Sequence, residues 1–210
     1  MTSLDIDLFV DITCPWCFVG TRRLEQALAS LGEPVDATIR HRPFLLVPSA
    51  PPEGLDLLAM LHERYGDFEP SRFFAPAEAA ARESGIALDL SKQPRTYPTT
   101  AAHTLLRHAD AHNSGGAVAD ALYSAYFLEA QNIGRPEVLV EIGAAHGVPR
   151  EEAARVVEDE AELGLTRREA AQATAMGIHG VPYFVFGGRL ALSGAQPLET
   201  MRKAIRQAVA

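Results

Sequence analysis

The strand-forming residues of this 210-residue chain are gathered at its two ends, with a long alanine-rich stretch between them. At the N-terminal end Leu8-Phe9-Val10-Asp11-Ile12 closes a strand expected over residues 6–12. Phe18, Leu24, Ala27, Leu28 and Leu31 then recur at helical spacing up to Gly32. Apolar and polar residues alternate over Val35–Arg40, which predicts a second strand. At the C-terminal end Tyr183-Phe184-Val185-Phe186 is a short apolar run, Gly187-Gly188 a turn, and Arg189-Leu190-Ala191-Leu192 its hairpin partner. A last helix is expected from Pro197 through Leu198, Met201, Ile205 and Val209, since proline suits a first helical turn.

The middle differs in kind. Residues 43–53 hold Pro43, Pro48, Pro51 and Pro52, which predicts a rigid extended connector. From about Leu55 to Ala175 the pattern is helical. Leu58, Leu61 and Tyr65 form one apolar stripe, Ala102, Leu105, Leu106 and Ala109 a second, and Leu122, Tyr126 and Phe127 a third. Gly66, Gly85, Gly115-Gly116, Gly147 and Gly177 read as turn or cap residues. Pro136 and Pro149 sit at helix starts, and Thr166-Arg167-Arg168-Glu169 fits a capping box. The order is β-α-β, a helical insertion, then β-β-α. Joined, the outer pieces make a four-stranded mixed sheet flanked by helices. That is an α/β chain with a thioredoxin fold and a large all-helical domain inserted between the second and third strands. The expected domains are 1–54 with 176–210, thioredoxin-like and discontinuous, and 55–175, the helical insertion.

Only two cysteines are present, and they sit at the first strand-to-helix junction as Cys14-Pro15-Trp16-Cys17. Unpaired N–H groups at a helix start favour a thiolate over a thiol, and the thiolate is the species that attacks a disulfide. Two intervening residues in a first helical turn meet the distance needs of a disulfide. Cys14, on the cap side and more exposed, is the expected attacking sulfur, with Cys17, one turn in, as the resolving one. Pro15 sets φ at the first helical position, and Trp16 offers a large apolar face beside the sulfur for a docking substrate.

Composition restricts the partners. A net charge of −8 argues against nucleic acid or an anionic membrane surface. Residues 1–7 are acidic, lack a basic n-region and lead straight into the first strand, and no apolar run approaches the roughly 20 residues of a membrane span. A cytoplasmic chain is therefore expected, where a CxxC pair is catalytic or metal-binding more often than a structural disulfide. Zinc would need two more ligands, and the best-spaced pair, His108 and His112, lies in the insertion with no sequence reason to approach Cys14. No metal site is expected.

The second motif is Gly180-Val181-Pro182-Tyr183. A proline that opens an apolar run belongs at a strand's first residue, where no ladder hydrogen bond is lost. Together with Cys14-Pro15-Trp16-Cys17, with Arg42-Pro43-Phe44-Leu45-Leu46-Val47-Pro48 and Pro52-Glu53-Gly54, and with Ser193-Gly194-Ala195-Gln196-Pro197, it resembles the DsbA-like thioredoxin superfamily. Within that superfamily the FrnE-like proteins are the subgroup the motifs resemble. The resemblance spans nearly the whole chain. It implies a redox-active disulfide at Cys14 and Cys17, a cis bond between Val181 and Pro182, and a Val181 backbone that pairs with an extended substrate segment. The activity implied is thiol–disulfide exchange on a protein or small-molecule substrate. No cofactor is required, and glutathione or another small thiol would serve as redox partner. The same superfamily holds 2-hydroxychromene-2-carboxylate isomerases and kappa-class glutathione transferases, which imply a glutathione-dependent alternative. Those usually carry serine at the Cys14 position and an Asp-Arg pair where this chain has Gln196-Pro197, and both departures favour dithiol chemistry. Either a monomer or a homodimer is compatible with the sequence.

Two further residues could tune the thiols. Asp11, three before Cys14, is either a strand-end polar residue or a charge that disfavours a nearby thiolate. His179, three before Pro182, is either an ordinary surface histidine or, when protonated, a stabiliser of the thiolate. Arg22 and Arg23 read as a solvated helix face, and His41, His62, His103 and His146 show no catalytic partner pattern.

Overall fold

The computed structural model describes residues 2–210. Strand β1 (Thr2–Val10) buries Leu4, Ile6, Leu8 and Val10 on one face and turns Asp5 and Asp7 to the other. After helix α1 (Pro15–Ala29), strand β2 (Val35–Pro43) runs parallel to β1, with Ile6 opposite Ile39 and Leu8 opposite His41. On the outer face Arg40 reaches Asp5 at 3.1 Å and Arg42 reaches Asp7 at 2.7 Å. Strand β1 thus starts before the expected 6–12 and stops at Val10. Asp11 and Ile12 leave the ladder because the Asp11 carbonyl accepts the Cys14 N–H at 3.1 Å in the turn that opens α1.

The chain leaves the sheet after β2. It passes through β3 (Leu55–Asp56), α2 (Leu57–Tyr65), α3 (Pro70–Glu83), β4 (Arg95–Thr96), α4 (Thr100–Ala111) and α5 (Gly115–Tyr123). A π-helical turn, Ser124–Leu128, prolongs α5, and α6 (Pro136–Ala145), α7 (Arg150–Val156) and α8 (Glu160–Ala175) follow. Strands β5 (Tyr183–Phe186) and β6 (Leu190–Ser193) and helix α9 (Leu198–Val209) complete the fold. The main sheet has the order β2-β1-β5-β6, with β5 antiparallel to β1 and to β6. Gly187 and Gly188 both take positive φ in the β5–β6 turn, which is why that turn is Gly-Gly. Helix α9 packs on α1, β1 and β5, while α4, α5 and α8 pack against β2.

The insertion is not purely helical: β3 and β4 pair as a two-residue antiparallel ribbon, Leu55 opposite Thr96. Two residues per strand are too few to show a period in sequence. The Arg95 guanidinium binds the carbonyls of Glu53 at 2.9 Å and Gly54 at 2.7 Å, anchoring the ribbon to the proline-rich connector. The Thr166 capping box is also not used. Helix α8 starts earlier, capped by Asp159, whose carboxylate accepts the N–H groups of Ala161 and Glu162. Thr166 lies buried mid-helix, its hydroxyl 2.7 Å from that of Thr104 on α4. Gly115-Gly116 opens α5 instead of forming a turn. A Cβ on Gly115 would fall 1.7 Å from Asp110 Oδ1, because Asp110 accepts both the His41 backbone N–H and its ring nitrogen there. His41 is therefore the tie between β2 and α4.

Arg22 and Arg23 are not a solvated face. Arg22 pairs with Asp120 on α5. Arg23, 12% exposed, binds Ser84 Oγ at 3.0 Å and the Ala195 carbonyl at 2.9 Å, joining α1 to the end of α3 and to the segment after β6. His108 and His112 both bind Glu152 on α7, each at 2.8 Å.

Helix α1 lies so close to the segment before β5 that a Cβ on Gly20 would sit 2.8 Å from Pro182 Cγ and 3.2 Å from Phe184 Cζ. Gly20→Val should lower stability by about 1–3 kcal/mol through overpacking, even though valine is the better helix former, as read from urea unfolding. The hydrogen bonds from His112 and His108 hold the Glu152 carboxyl below the usual carboxylate range. A lowered folded value adds stability above the unfolded value of about 4.3, and that stability is lost as pH falls through the folded value. Glu152→Gln should therefore have a lower urea midpoint than the parent near pH 6, and the gap should close below about pH 4.

Candidate active site

Cys14 is the N-cap of α1, with extended φ/ψ of −92° and 114°, and Pro15 occupies the first helical position. The cap geometry follows from the residues: Pro15 disfavours a helical conformation at Cys14 and cannot itself use a backbone N–H. The first helical bonds run from Cys17 N and Phe18 N back to the Cys14 carbonyl, at 3.0 and 3.3 Å. This turn sets the two cysteines 3.4 Å apart as free thiols.

Their surroundings differ. Cys14 is 6% exposed and Cys17 0%, so of the two sulfurs only that of Cys14 borders the cleft. Burial, and then the neighbouring Cys14, push the Cys17 thiol well above its ordinary range. Behind it the Phe18 ring stacks on Tyr123 at 5.0 Å between centroids, closing the side away from the cleft. A buried thiol that holds its proton attacks little on its own. The asymmetry leaves Cys14 as the sulfur that an incoming group reaches.

The strand-start motif lies directly across from Cys14. Its thiol donates to the Val181 carbonyl at 3.7 Å, and the Val181–Pro182 peptide bond is cis. Pro182 is buried against Gly20, and its carbonyl accepts the Gly194 N–H at 2.8 Å, which ties the segment to the end of β6. His179 is exposed and lines the same cleft with Gly180 and Val181.

That cleft has a volume of ≈ 370 Å³. Cys14, Pro15, Trp16 and Val181 form its floor, with Trp16 37% exposed. Its roof comes from the insertion: Met60, Leu61 and Tyr65 of α2 and Phe73 of α3, with Arg64 the cation on the roof. Tyr126 and Phe127 close the back. The π-helical turn carries both, and the Tyr126 hydroxyl is held by the Arg95 carbonyl at 3.0 Å. The Leu58, Leu61 and Tyr65 stripe is divided between core and surface: helix α2 buries no residue fully, Leu61 packs partly on the core, and Leu58 and Tyr65 are 39% and 58% exposed. Periodicity marks an apolar face but cannot say whether it meets core or cleft.

Asp11 follows the last residue of β1 and is buried. It is 1% exposed, and its carboxylate accepts the N–H of Leu46 at 2.6 Å and of Thr13 at 3.3 Å. Leu46 belongs to the proline-rich connector, whose backbone thus supplies a ligand to the acid beneath the thiols. His103 of α4, given no role by sequence, has its Nε2 3.8 Å from Asp11 Oδ1. The available signal was a histidine set inside the apolar run Ala102-His103-Thr104-Leu105-Leu106. Among the described residues no group of three or more His, Cys, Asp or Glu side chains is arranged to hold a metal ion.

A four-stranded mixed sheet with a dithiol at its first strand-to-helix turn and a cis-proline segment facing it defines the thioredoxin class. The DSBA-like thioredoxin domain model matches residues 5–206, and the chain belongs to that family. A probable DsbA oxidoreductase from Streptomyces coelicolor superposes with a TM-score of 0.85 at 31% identity, covering 98% of this chain and 89% of that one. A 2-hydroxychromene-2-carboxylate isomerase superposes with a TM-score of 0.71 at 15% identity over 97% of this chain and 95% of its own. A cytosolic disulfide reductase of Pseudomonas aeruginosa, in a structure with GSH, gives 0.67 at 17% identity over 97% and 98%. At those last two identities the likeness is one of fold.

Because Cys17 is fully buried with its thiol pushed up, one equivalent of iodoacetamide near neutral pH should label Cys14 before Cys17. Peptide mapping by mass spectrometry should find at least about tenfold more label on Cys14.

Proposed function

We propose that the protein is a thiol–disulfide oxidoreductase working through Cys14 and Cys17. The observation that carries the reading is the unequal pair of free thiols 3.4 Å apart, with the Val181 carbonyl at 3.7 Å from Cys14. In the reductive direction the Cys14 thiolate attacks one sulfur of a substrate disulfide. A Cys14–substrate disulfide forms and the other substrate sulfur leaves as a thiolate. Cys17, having lost its proton, then attacks Cys14 Sγ; the internal disulfide forms and the second substrate sulfur leaves. The two protons of the dithiol end on the two released substrate thiols, and two electrons pass to the substrate. Oxidation of a substrate dithiol is the same sequence reversed. After substrate reduction, two molecules of a small thiol such as glutathione reduce the internal disulfide and leave joined as their own disulfide; after substrate oxidation, that small disulfide takes the two electrons back from the dithiol.

In this reading Val181 offers its backbone to an extended substrate, and Pro182 holds that backbone against the sulfur. Trp16 and the aromatic roof favour substrates with apolar groups beside the cysteine. Asp11 and His179 act on the charge of the thiols and not on the substrate. The expected substrate is a disulfide- or thiol-containing protein or small molecule, with neither nucleic acid nor membrane as partner. No helix of the described residues is long and apolar enough to cross a membrane.

One observation favours a second reading. A small aromatic-walled cleft roofed by an insertion would also suit a glutathione-dependent isomerase or transferase on an aromatic substrate. The two cysteines and Gln196-Pro197 weigh against it.

The protein should catalyse reduction of insulin by dithiothreitol, followed by turbidity. Cys14→Ser should abolish this and trap no mixed disulfide, whereas full activity in that variant overturns the exchange reading. Glutathione conjugation that survives Cys17→Ser would support the second reading instead.

A further inference from the structure

Beside Asp11 lies a buried histidine that no exchange step uses. Asp11 and His103 have side chains each 1% exposed, with Oδ1 and Nε2 3.8 Å apart, and His103 Nε2 has no hydrogen-bond partner of its own. The Asp11 carboxylate is pinned by Leu46 N and Thr13 N, and its own backbone carbonyl receives the Cys14 N–H. The acid therefore belongs to the turn that carries the thiols. The groups whose charge bears on it are Cys17 on α1, His103 on α4, Tyr123 on α5 and Tyr126 on the π-helical turn, while Cys14, the N-cap of α1, binds its carbonyl through the backbone. Burial pushes both tyrosines up, so they stay neutral. Among the described residues, His103 is the cation-forming side chain within ion-pair distance of Asp11.

An imidazolium within ion-pair distance of a carboxylate offsets its charge at close range. Without the imidazole, a carboxylate in this dry site faces the sulfur with an uncompensated negative charge and opposes a second one on Cys14. We propose that His103 is a positioning residue of the redox site, supplied by the inserted helix α4 to cancel the charge of Asp11 and so let Cys14 ionise. The inserted helices then complete the site from below as well as roofing it from above. The inference rests on the thiol–disulfide exchange reading.

Iodoacetamide alkylation of Cys14 against pH tests it, measured on the reduced full chain and on its His103→Gln, Asp11→Asn and doubly substituted variants. The midpoint of the His103→Gln profile should rise by about one pH unit, a roughly tenfold loss of rate below it. In the Asp11→Asn background the same His103→Gln change should alter the rate by less than about twofold. Asp11→Asn alone should leave the midpoint at or below that of the parent. An equal His103→Gln shift in both backgrounds, or no shift in a variant whose thermal melt shows it folded, overturns the proposal. If His103→Gln does not fold, Asp11→Asn decides alone, since a raised midpoint there also overturns it. Alkylation needs no substrate and no turnover. An absence of insulin reduction with a normal His103 effect would count against the exchange reading only, and the converse against this inference only.

Discussion

The pairing of β1 with β5 is the contact on which the chemistry depends. Leu8 faces Phe184 and Ile6 faces Phe186 across an antiparallel ladder, and all four side chains are fully buried. Burial of two phenylalanines and two aliphatic residues on one face fixes the register, because a slip of one residue would turn that face to solvent. With the register set, the residue after β1 and the residue before β5 emerge at the same end of the sheet. Cys14 and Val181, 167 positions apart in the chain, meet there. Gly20 then allows α1 to close on Pro182, and any larger residue would hold the sulfur away from the Val181 backbone.

The two thiols are chemically unequal because the fold treats them unequally. Cys14 caps the helix and opens to a cleft, while Cys17 lies one turn in, against the stacked Phe18 and Tyr123. The insertion does more than lengthen the chain. Helices α2 and α3 leave Met60, Tyr65 and Phe73 only partly buried, lining the same cleft as Cys14. Helix α4, locked to β2 by His41 and Asp110, brings His103 up to Asp11. Ion pairs of Arg22 and Arg23 fasten α1 to this frame. Residues far apart in the chain thereby bear on one sulfur.

Membership of the DsbA-like thioredoxin family rests on nearly the full length, residues 5–206. Structural likeness alone does not separate exchange from glutathione chemistry, since an isomerase and a disulfide reductase both superpose well at low identity. The proposed exchange reading leans instead on two local features, a second cysteine one helical turn from the first and Gln196-Pro197 ahead of the last helix.

The order of elements was legible in sequence wherever a short-range rule governed it. The period-2 run at Tyr183–Phe186, the Gly187-Gly188 turn, and proline at the start of α1 and α6 all act within a few residues. So does the spacing of Cys14 and Cys17. What failed was decided at long range. Thr166 looked like a cap until a hydroxyl on another helix claimed it. Arg23 looked solvated, although two separate segments converge on it. The burial of Asp11 was not legible either way, because it depends on a backbone N–H from Leu46 and on the packing of α4 against β2, which no local pattern encodes. By itself, then, the sequence determined which elements form and which two sulfurs can react, since both follow from neighbouring residues. Which groups surround those sulfurs, and with what charge and exposure, only the tertiary structure decided, because burial and electrostatic coupling act between atoms that the chain brings together only once it is folded.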